Sequence, residues 1–251
     1  MNYNNPYSDR FKLIISDPLN SQIKKVCETK CENNIVTLYN GVKVYNQSYY
    51  GNFSDILLIN DGVHEPSEEY LFQKVLDRIN SESPLMIELG SYWAFYSMTF
   101  LNQYNNGRTI CVEVGQEELE IGKAHYKLNN LNGEFIRAKV EIGGWGIDDY
   151  VEQNNINKIE ILHSDIQGYE TDMLKGARNS LQNRLVDYII LSTHSNSLHN
   201  ECIGLLLGCN YKIIAQVDLS NTFCEDGIIL AVSPNIQMDK IDLPQRTVIG
   251  I

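Results

Sequence analysis

Nowhere in the 251 residues does an uninterrupted run of eighteen apolar residues occur, so no membrane-spanning helix is expected. No cluster of Lys and Arg breaks the acidic balance either: 32 Asp and Glu stand against 20 Lys and Arg, a net charge of −12. Such a charge repels a phosphate backbone and argues against a nucleic-acid partner. A cysteine framework is also missing. Cys27, Cys31, Cys111, Cys202, Cys209 and Cys224 are scattered, and the Cys27–Cys31 spacing has no second pair to complete a zinc site. All six are read as reduced thiols of a cytoplasmic protein. Met1–Pro6 has neither a basic start nor an apolar stretch, so no secretory leader is expected. Internal repeats and low-complexity segments are lacking too.

What remains is ordinary globular composition, 43% hydrophobic and 21% charged, enough for one α/β domain with a modest extension. The pattern changes near Ser83-Pro84. Before it, residues 35–39 and 42–45 read as a hairpin around Asn40-Gly41, a pair that favours a type I′ turn. A helix follows from about Ser67 to Ile79, with Pro66 at its start. After Pro84, strand candidates at 85–89, 109–114, 135–140, 159–164, 186–193, 211–217 and 228–232 alternate with helices at 94–104, 117–131, 147–155, 170–182 and 198–207. The last two strands have no helix between them. This order predicts a seven-stranded, mainly parallel sheet with an antiparallel last strand. The expected organisation is a cap over residues 1–80, the α/β domain over 81–233 and a surface tail over 234–251.

Chemistry concentrates at the ends of the strands. The first βα junction reads Glu88-Leu89-Gly90-Ser91-Tyr92-Trp93-Ala94. A glycine after the strand admits a ligand close to the backbone, and the following helix presents its positive N-terminus to a carboxylate. Gly90, Ser91, Tyr92 and Ser97 join Glu88 as candidate cofactor residues. The second strand ends at Glu113-Val114, and Glu113, 23 residues beyond Gly90, is spaced to accept the hydroxyls of a ribose. Trp145, in Gly143-Gly144-Trp145-Gly146 after the third strand, is the aromatic best placed to line an adenine pocket. The tyrosines at 45, 49 and 50 are read as packing of the cap rather than a lid.

The fourth strand and its continuation, Ile161-Leu162-His163-Ser164-Asp165-Ile166-Gln167-Gly168-Tyr169-Glu170 and Leu174-Lys175-Gly176-Ala177, resemble the FkbM family of methyltransferases, whose version runs near Lys-Ile-Asp-Val-Glu-Gly-Ala-Glu followed by Leu-x-Gly-Ala. Asp165, Gly168, Glu170, Leu174, Gly176 and Ala177 fall on that pattern; His163, Gln167 and Tyr169 depart from it. His64-Glu65-Pro66 and Leu191-Ser192-Thr193-His194 look like further family features. The resemblance implies a class I, Rossmann-like methyltransferase fold, S-adenosylmethionine as cofactor, and O-methylation of a sugar hydroxyl on a sugar, nucleotide-linked sugar or glycan precursor. Asp165, at the carboxyl end of the fourth strand, and His194, at the end of the fifth, are the candidate catalytic pair, with His163 beside them. Either one acts as a bare base, or Asp165 and a neighbour hold a divalent metal. A homodimer is left open. Two rivals are a nucleotide-cofactor oxidoreductase, disfavoured by the missing Gly-x-Gly-x-x-Gly, and a non-catalytic binding module, suggested by Ala94 and Gln167.

Overall fold

The computed structural model describes residues 7–249; the reading of Met1–Pro6 lies outside the described residues. The N-terminal part begins with α1 (Ser8–Ser16). An antiparallel sheet of β1 (Lys30–Glu32), β2 (Ile35–Thr37) and β3 (Lys43–Tyr45) follows, then helices α2 (Asp55–Ile59) and α3 (Pro66–Leu76). Beyond it the chain alternates: β4 (Leu85–Leu89), α4 (Phe95–Gln103), β5 (Arg108–Glu113), α5 (Gln116–Leu128), β6 (Glu134–Arg137) and α6 (Ile147–Gln153). Then come β7 (Ile159–Ser164), α7 (Glu170–Gly176), α8 (Arg178–Gln182), β8 (Val186–Thr193) and α9 (Asn196–Gly208). The chain closes with β9 (Lys212–Val217), β10 (Gly227–Val232) and α10 (Arg246–Ile249).

The large sheet has the order β6-β5-β4-β7-β8-β10-β9. Strands β4 to β8 run parallel, and β10 is antiparallel to both β8 and β9. This is the sheet expected from the sequence. β4, β7 and β10 are buried along their whole length, as strands covered on both faces must be. The chain moves outward from β4 in both directions, and where strand order reverses, a crevice opens at the carboxyl ends of β4 and β7.

Each face of the sheet has its own core. α6, α7, α8 and α9 cover one face with Ile147, Leu174, Leu181 and Leu206. The other face packs on α4 and the N-terminal part, so that Phe11, Leu38, Phe53 and Leu71 belong to one continuous core with Met86, Ile161 and Ile190. The cap is thus a layer of the domain. Residues 235–249 run along the sheet edge with Leu243 buried, and the Ile241 amide donates to the Ile214 carbonyl of edge strand β9 at 2.9 Å.

Three local differences have physical causes. The hairpin turn is not type I′, because Gly41 (φ +82°) has a left-handed backbone and Asn40 does not. Instead the Gly41 amide donates to Leu38 and the Leu38 amide to Val42, both at 2.8 Å, a three-residue loop ending on a left-handed glycine. The helix expected over 170–182 breaks after Gly176, where the Asp148 carboxylate caps the new start by accepting the Asn179 and Ser180 amides at 2.8 Å each. β6 stops at Arg137, and Val140 pairs with Trp145 in an isolated bridge.

Candidate active site

A cavity of about 630 Å³ lies over the carboxyl ends of β4, β5 and β7 and under the N-terminal layer. The strand ends contribute Glu88, Gly90, Glu113 and Asp165 to its wall, and the cap contributes Arg10, Tyr49, Tyr50 and Glu65. Ser91, Tyr92, Val114 and His163 also line it.

The turn after β4 has a left-handed backbone at alternate residues: Gly90 at φ +70°, Tyr92 at φ +41° and Ala94 at φ +60°. Only the first is a glycine, and its reason is a neighbouring strand. A Cβ on Gly90 would sit 1.7 Å from the Asp165 carbonyl oxygen. The Gly90 and Ser91 amides donate to Val112 O at 2.9 and 3.1 Å, and the Tyr92 amide donates to Glu113 Oε2 at 3.1 Å. Tyr92 ties the turn to the cap, since its hydroxyl accepts from the Tyr50 amide at 2.9 Å and donates to Ser48 O at 3.1 Å. Of the cap tyrosines, Tyr49 is buried and stacks on Trp93 with ring centroids 4.5 Å apart, which fits packing. Tyr50 instead is exposed and faces the cavity.

Glu113 is buried, with Oε1 accepting the Gly115 amide at 2.9 Å, so its carboxylate is oriented and keeps lone pairs for a ligand. Beside it Val112, Val114, Ala138 and Val140 form an apolar slot. Two expected cofactor residues lie elsewhere. Trp145 packs against Tyr150 at 5.3 Å between ring centroids, drawn away by its bridge to Val140. Ser97 is buried under the turn, its amide donating to Glu88 Oε2 at 3.1 Å and its hydroxyl facing the Cys111 thiol. Burial pushes Glu88 up to about 7.

The opposite half of the cavity is a network of histidines and carboxylates. His194 follows β8 and lies among three acids: Nδ1 is 2.9 Å from Glu170 Oε1, and Nε2 is 3.1 Å from Asp165 Oδ1 and 3.4 Å from Asp226 Oδ1. Burial opposes its charge, but the bonds to Asp165 and Glu170 outweigh burial and push it up to about 10. Among these carboxylates the imidazolium form of His194 is favoured, and in that form the ring has no lone pair to accept a proton. His163 is buried and bonded through Nε2 to Glu68 Oε1, while Glu68 Oε2 accepts from Ser192 Oγ at 2.6 Å. It too ends above the usual imidazole range, because Glu68 outweighs desolvation.

Glu68 and Asp226 carry no signal in the sequence, and Glu65 stands out there only as part of His64-Glu65-Pro66. Glu65 and Glu68 resemble acids placed for the start of a helix, and Asp226 sits in the unpatterned connection between β9 and β10. Burial first, then the charges of Glu68, Asp165 and Asp226, push Glu65 up to about 8 despite His64. Burial likewise raises Asp226 to about 6.

The wall fits S-adenosylmethionine in its donor types. Glu113 and the apolar slot suit a ribose and a purine. Ser91, 2% exposed, has a hydroxyl without a partner at the edge of the cavity. Among the described residues, no group of three or more His, Cys, Asp or Glu side chains is arranged to hold a metal ion, so the metal route has no support here. No described helix is long and apolar enough to cross a membrane.

Comparison with known proteins agrees with this geometry. The METTL16 MTase domain superposes with a TM-score of 0.51 at 15% identity, over 93% of this chain and 96% of that one. TrmK of M. capricolum, solved with S-adenosyl-homocysteine, gives a TM-score of 0.48 at 16% identity, covering 69% of this chain and 70% of its own. The precorrin-6y C5,15-methyltransferase of Geobacter metallireducens GS-15 gives 0.47 at 15% identity, covering 65% and 87%. No curated protein sequence matches the chain. The family model described as the methyltransferase FkbM domain matches residues 65–213, more than half of the sequence. With its seven-stranded sheet and the cleft over β4 and β7, the chain belongs to the FkbM methyltransferase family, on the class I, Rossmann-like fold that binds S-adenosylmethionine.

Proposed function

We propose that the enzyme transfers a methyl group to a hydroxyl of a sugar, free, nucleotide-linked or in a glycan precursor. One observation carries this reading: Asp165 reaches the cavity wall at the carboxyl end of β7, held by His194, while Glu113 and Ser91 line the cofactor half of the same cavity. When bound, S-adenosylmethionine supplies an electrophilic methyl group. Glu113 holds the ribose hydroxyls, the slot of Val112, Val114, Ala138 and Val140 takes the purine, and Ser91 offers its hydroxyl to the methionine end.

Asp165 does the proton work. Gln167 donates to its Oδ1 at 3.0 Å and His194 Nε2 lies 3.1 Å away, so the carboxylate is fixed and one oxygen is left to accept the proton of the acceptor hydroxyl. His194 is a positioning residue, anchored by Glu170, which itself accepts the Ile166 and Gly168 amides at 3.3 and 3.2 Å. A general base contributes about 10²–10⁴-fold, so Asp165→Asn should lower kcat about 10²-fold or more and leave affinity for S-adenosylhomocysteine near normal. Calorimetry and transfer of labelled methyl to a panel of sugars and nucleotide sugars measure both. Failure of S-adenosylhomocysteine to bind at micromolar levels, or wild-type turnover by Asp165→Asn, sinks the reading.

A further inference from the structure

Tyr49, Tyr50 and Phe53 belong to one short segment of the cap, yet Tyr50 alone keeps its ring out of the core. Tyr49 and Phe53 are 4% and 1% exposed, whereas Tyr50 is 55% exposed although it lines the cavity. Its neighbours hold it there. Tyr49 stacks on Trp93, and Ser54 Oγ accepts the Tyr49 amide at 3.1 Å and donates to the Tyr49 carbonyl at 2.8 Å. The Tyr50 amide donates to the Tyr92 hydroxyl at 2.9 Å, and the two rings lie 4.6 Å apart between centroids. The ring is thus fixed through its backbone and on one side, and the rest of it meets the cavity.

That position is held against a cost. Tyr50 has a left-handed backbone, φ +48° and ψ +40°, which a bulky side chain adopts only where its surroundings impose it. Tyr92 is left-handed too, at φ +41°. Glycine or asparagine would take either conformation more easily, so what tyrosine adds is its ring. At Tyr92 the ring carries the hydroxyl that holds Tyr50 and Ser48. At Tyr50 the protein leaves most of the ring in the cavity, and strain kept for an exposed ring calls for a ligand.

The place of the ring gives the chemistry of that ligand. Its partner Tyr92 belongs to the cofactor turn and donates its amide to Glu113. The Tyr50 phenol is held above its usual range, by partial burial first and then by Asp165, Tyr92, Glu65 and Glu113. Coulomb effects fade with distance, so the ring stands within the fields of Asp165 and Glu113 together. With the ribose at Glu113 and the acceptor hydroxyl at Asp165, the cofactor group between them is the sulfonium. The phenol stays neutral, and the quadrupole of its ring face attracts a cation.

We propose that the Tyr50 ring holds the sulfonium of the cofactor by a cation–π contact, so that the site distinguishes S-adenosylmethionine from its neutral product S-adenosylhomocysteine. This rests on the methyltransferase reading and deepens it. Transfer of the methyl group removes the positive charge, and with it the contact, which favours exchange of spent product for fresh donor.

The test is calorimetry of the full chain with S-adenosylmethionine and S-adenosylhomocysteine, compared among the wild type, Tyr50→Phe, Tyr50→Leu and Tyr50→Asn. The quantity read is the Kd of S-adenosylhomocysteine divided by that of S-adenosylmethionine. Carboxylates of the wall favour the cation in every variant and cancel from this comparison. The ratio should fall about two- to fivefold in Tyr50→Leu and Tyr50→Asn, which lack the aromatic face. In Tyr50→Phe, which keeps it, the ratio should stay within about twofold of wild type. Asparagine tolerates the left-handed backbone, so Tyr50→Asn guards against misfolding, and retained S-adenosylhomocysteine binding shows that each variant is folded. A ratio unchanged within about twofold in both ringless variants, an equal fall in Tyr50→Phe, or loss of both ligands together in both ringless variants overturns the proposal. Failure of both ligands to bind the wild-type chain strikes the methyltransferase reading instead.

Discussion

Replacing Gly90 with alanine tests whether this turn is dictated by its neighbour strand. Its backbone is left-handed at φ +70°, which costs a non-glycine residue about 1–2 kcal/mol. The added Cβ would lie 1.7 Å from the Asp165 carbonyl oxygen and 2.7 Å from the carbonyl carbon. That carbonyl cannot retreat freely, because the Asp165 amide donates to Leu89 O at 2.9 Å and prolongs the β4–β7 ladder. Overpacking of this kind typically costs about 1–3 kcal/mol, and here the Cβ meets backbone rather than the end of a flexible side chain. Together the terms give about 2–5 kcal/mol. At roughly 2–4 °C per kcal/mol for a chain of this size, Tm should fall by about 4–20 °C. Because the strain falls on Asp165, whatever folded protein remains at low temperature should also have lower kcat. Thermal unfolding followed by circular dichroism, with turnover at 15 °C, measures both. A Tm within about 2 °C of wild type would show that the β4 and β7 turns are not locked together, and the argument for Gly90 would fall.

Glu113→Ala should weaken S-adenosylhomocysteine affinity about tenfold or more, since charge-assisted hydrogen bonds contribute about 1.5–3 kcal/mol; an unchanged Kd in calorimetry would leave Glu113 as a brace for the Tyr92 and Gly115 amides only. Stability should also decline as pH rises. His194, raised to about 10 in the folded protein, contributes stability fully present below its ordinary 6.5 and lost as pH climbs through 10, on the order of 5 kcal/mol. Glu65 and Asp226, also raised, tilt the lower part of the same range in the same direction, whereas Glu69, held below its usual value because His64 and its hydrogen bonds outweigh burial, opposes them at acid pH. Tm measured from pH 6 to 10 should therefore fall, and His194→Gln should flatten the part above pH 7; a profile flat in the wild type refutes the ionised network.

The seven-stranded, mainly parallel sheet was largely legible because it depends on local pattern. Apolar runs such as Leu85–Leu89 and Ile159–Ser164 mark buried parallel strands, and the acids that end them, Glu88, Glu113 and Asp165, fall at their carboxyl ends by position alone. Periodicity misses features set by particular side-chain partners. The glycine-rich loop after the strand suggests a pocket wall at Trp145, yet its bridge to Val140 and its packing on Tyr150 hold the ring outside the cavity lining. The break after Gly176 depends on Asp148, roughly thirty residues away and invisible to helical periodicity.

By itself, then, the sequence determined the seven-stranded sheet and the family to which the chain belongs, since each rests on alternation and short motifs. Only tertiary structure decided the chemistry of the acceptor half. Glu65 on the approach to α3, Asp226 before β10 and His194 after β8 are ordinary residues in their own segments. Their proton affinities change because folding brings them close to one another and out of water, and both desolvation and Coulomb interaction depend on distance in space rather than along the chain.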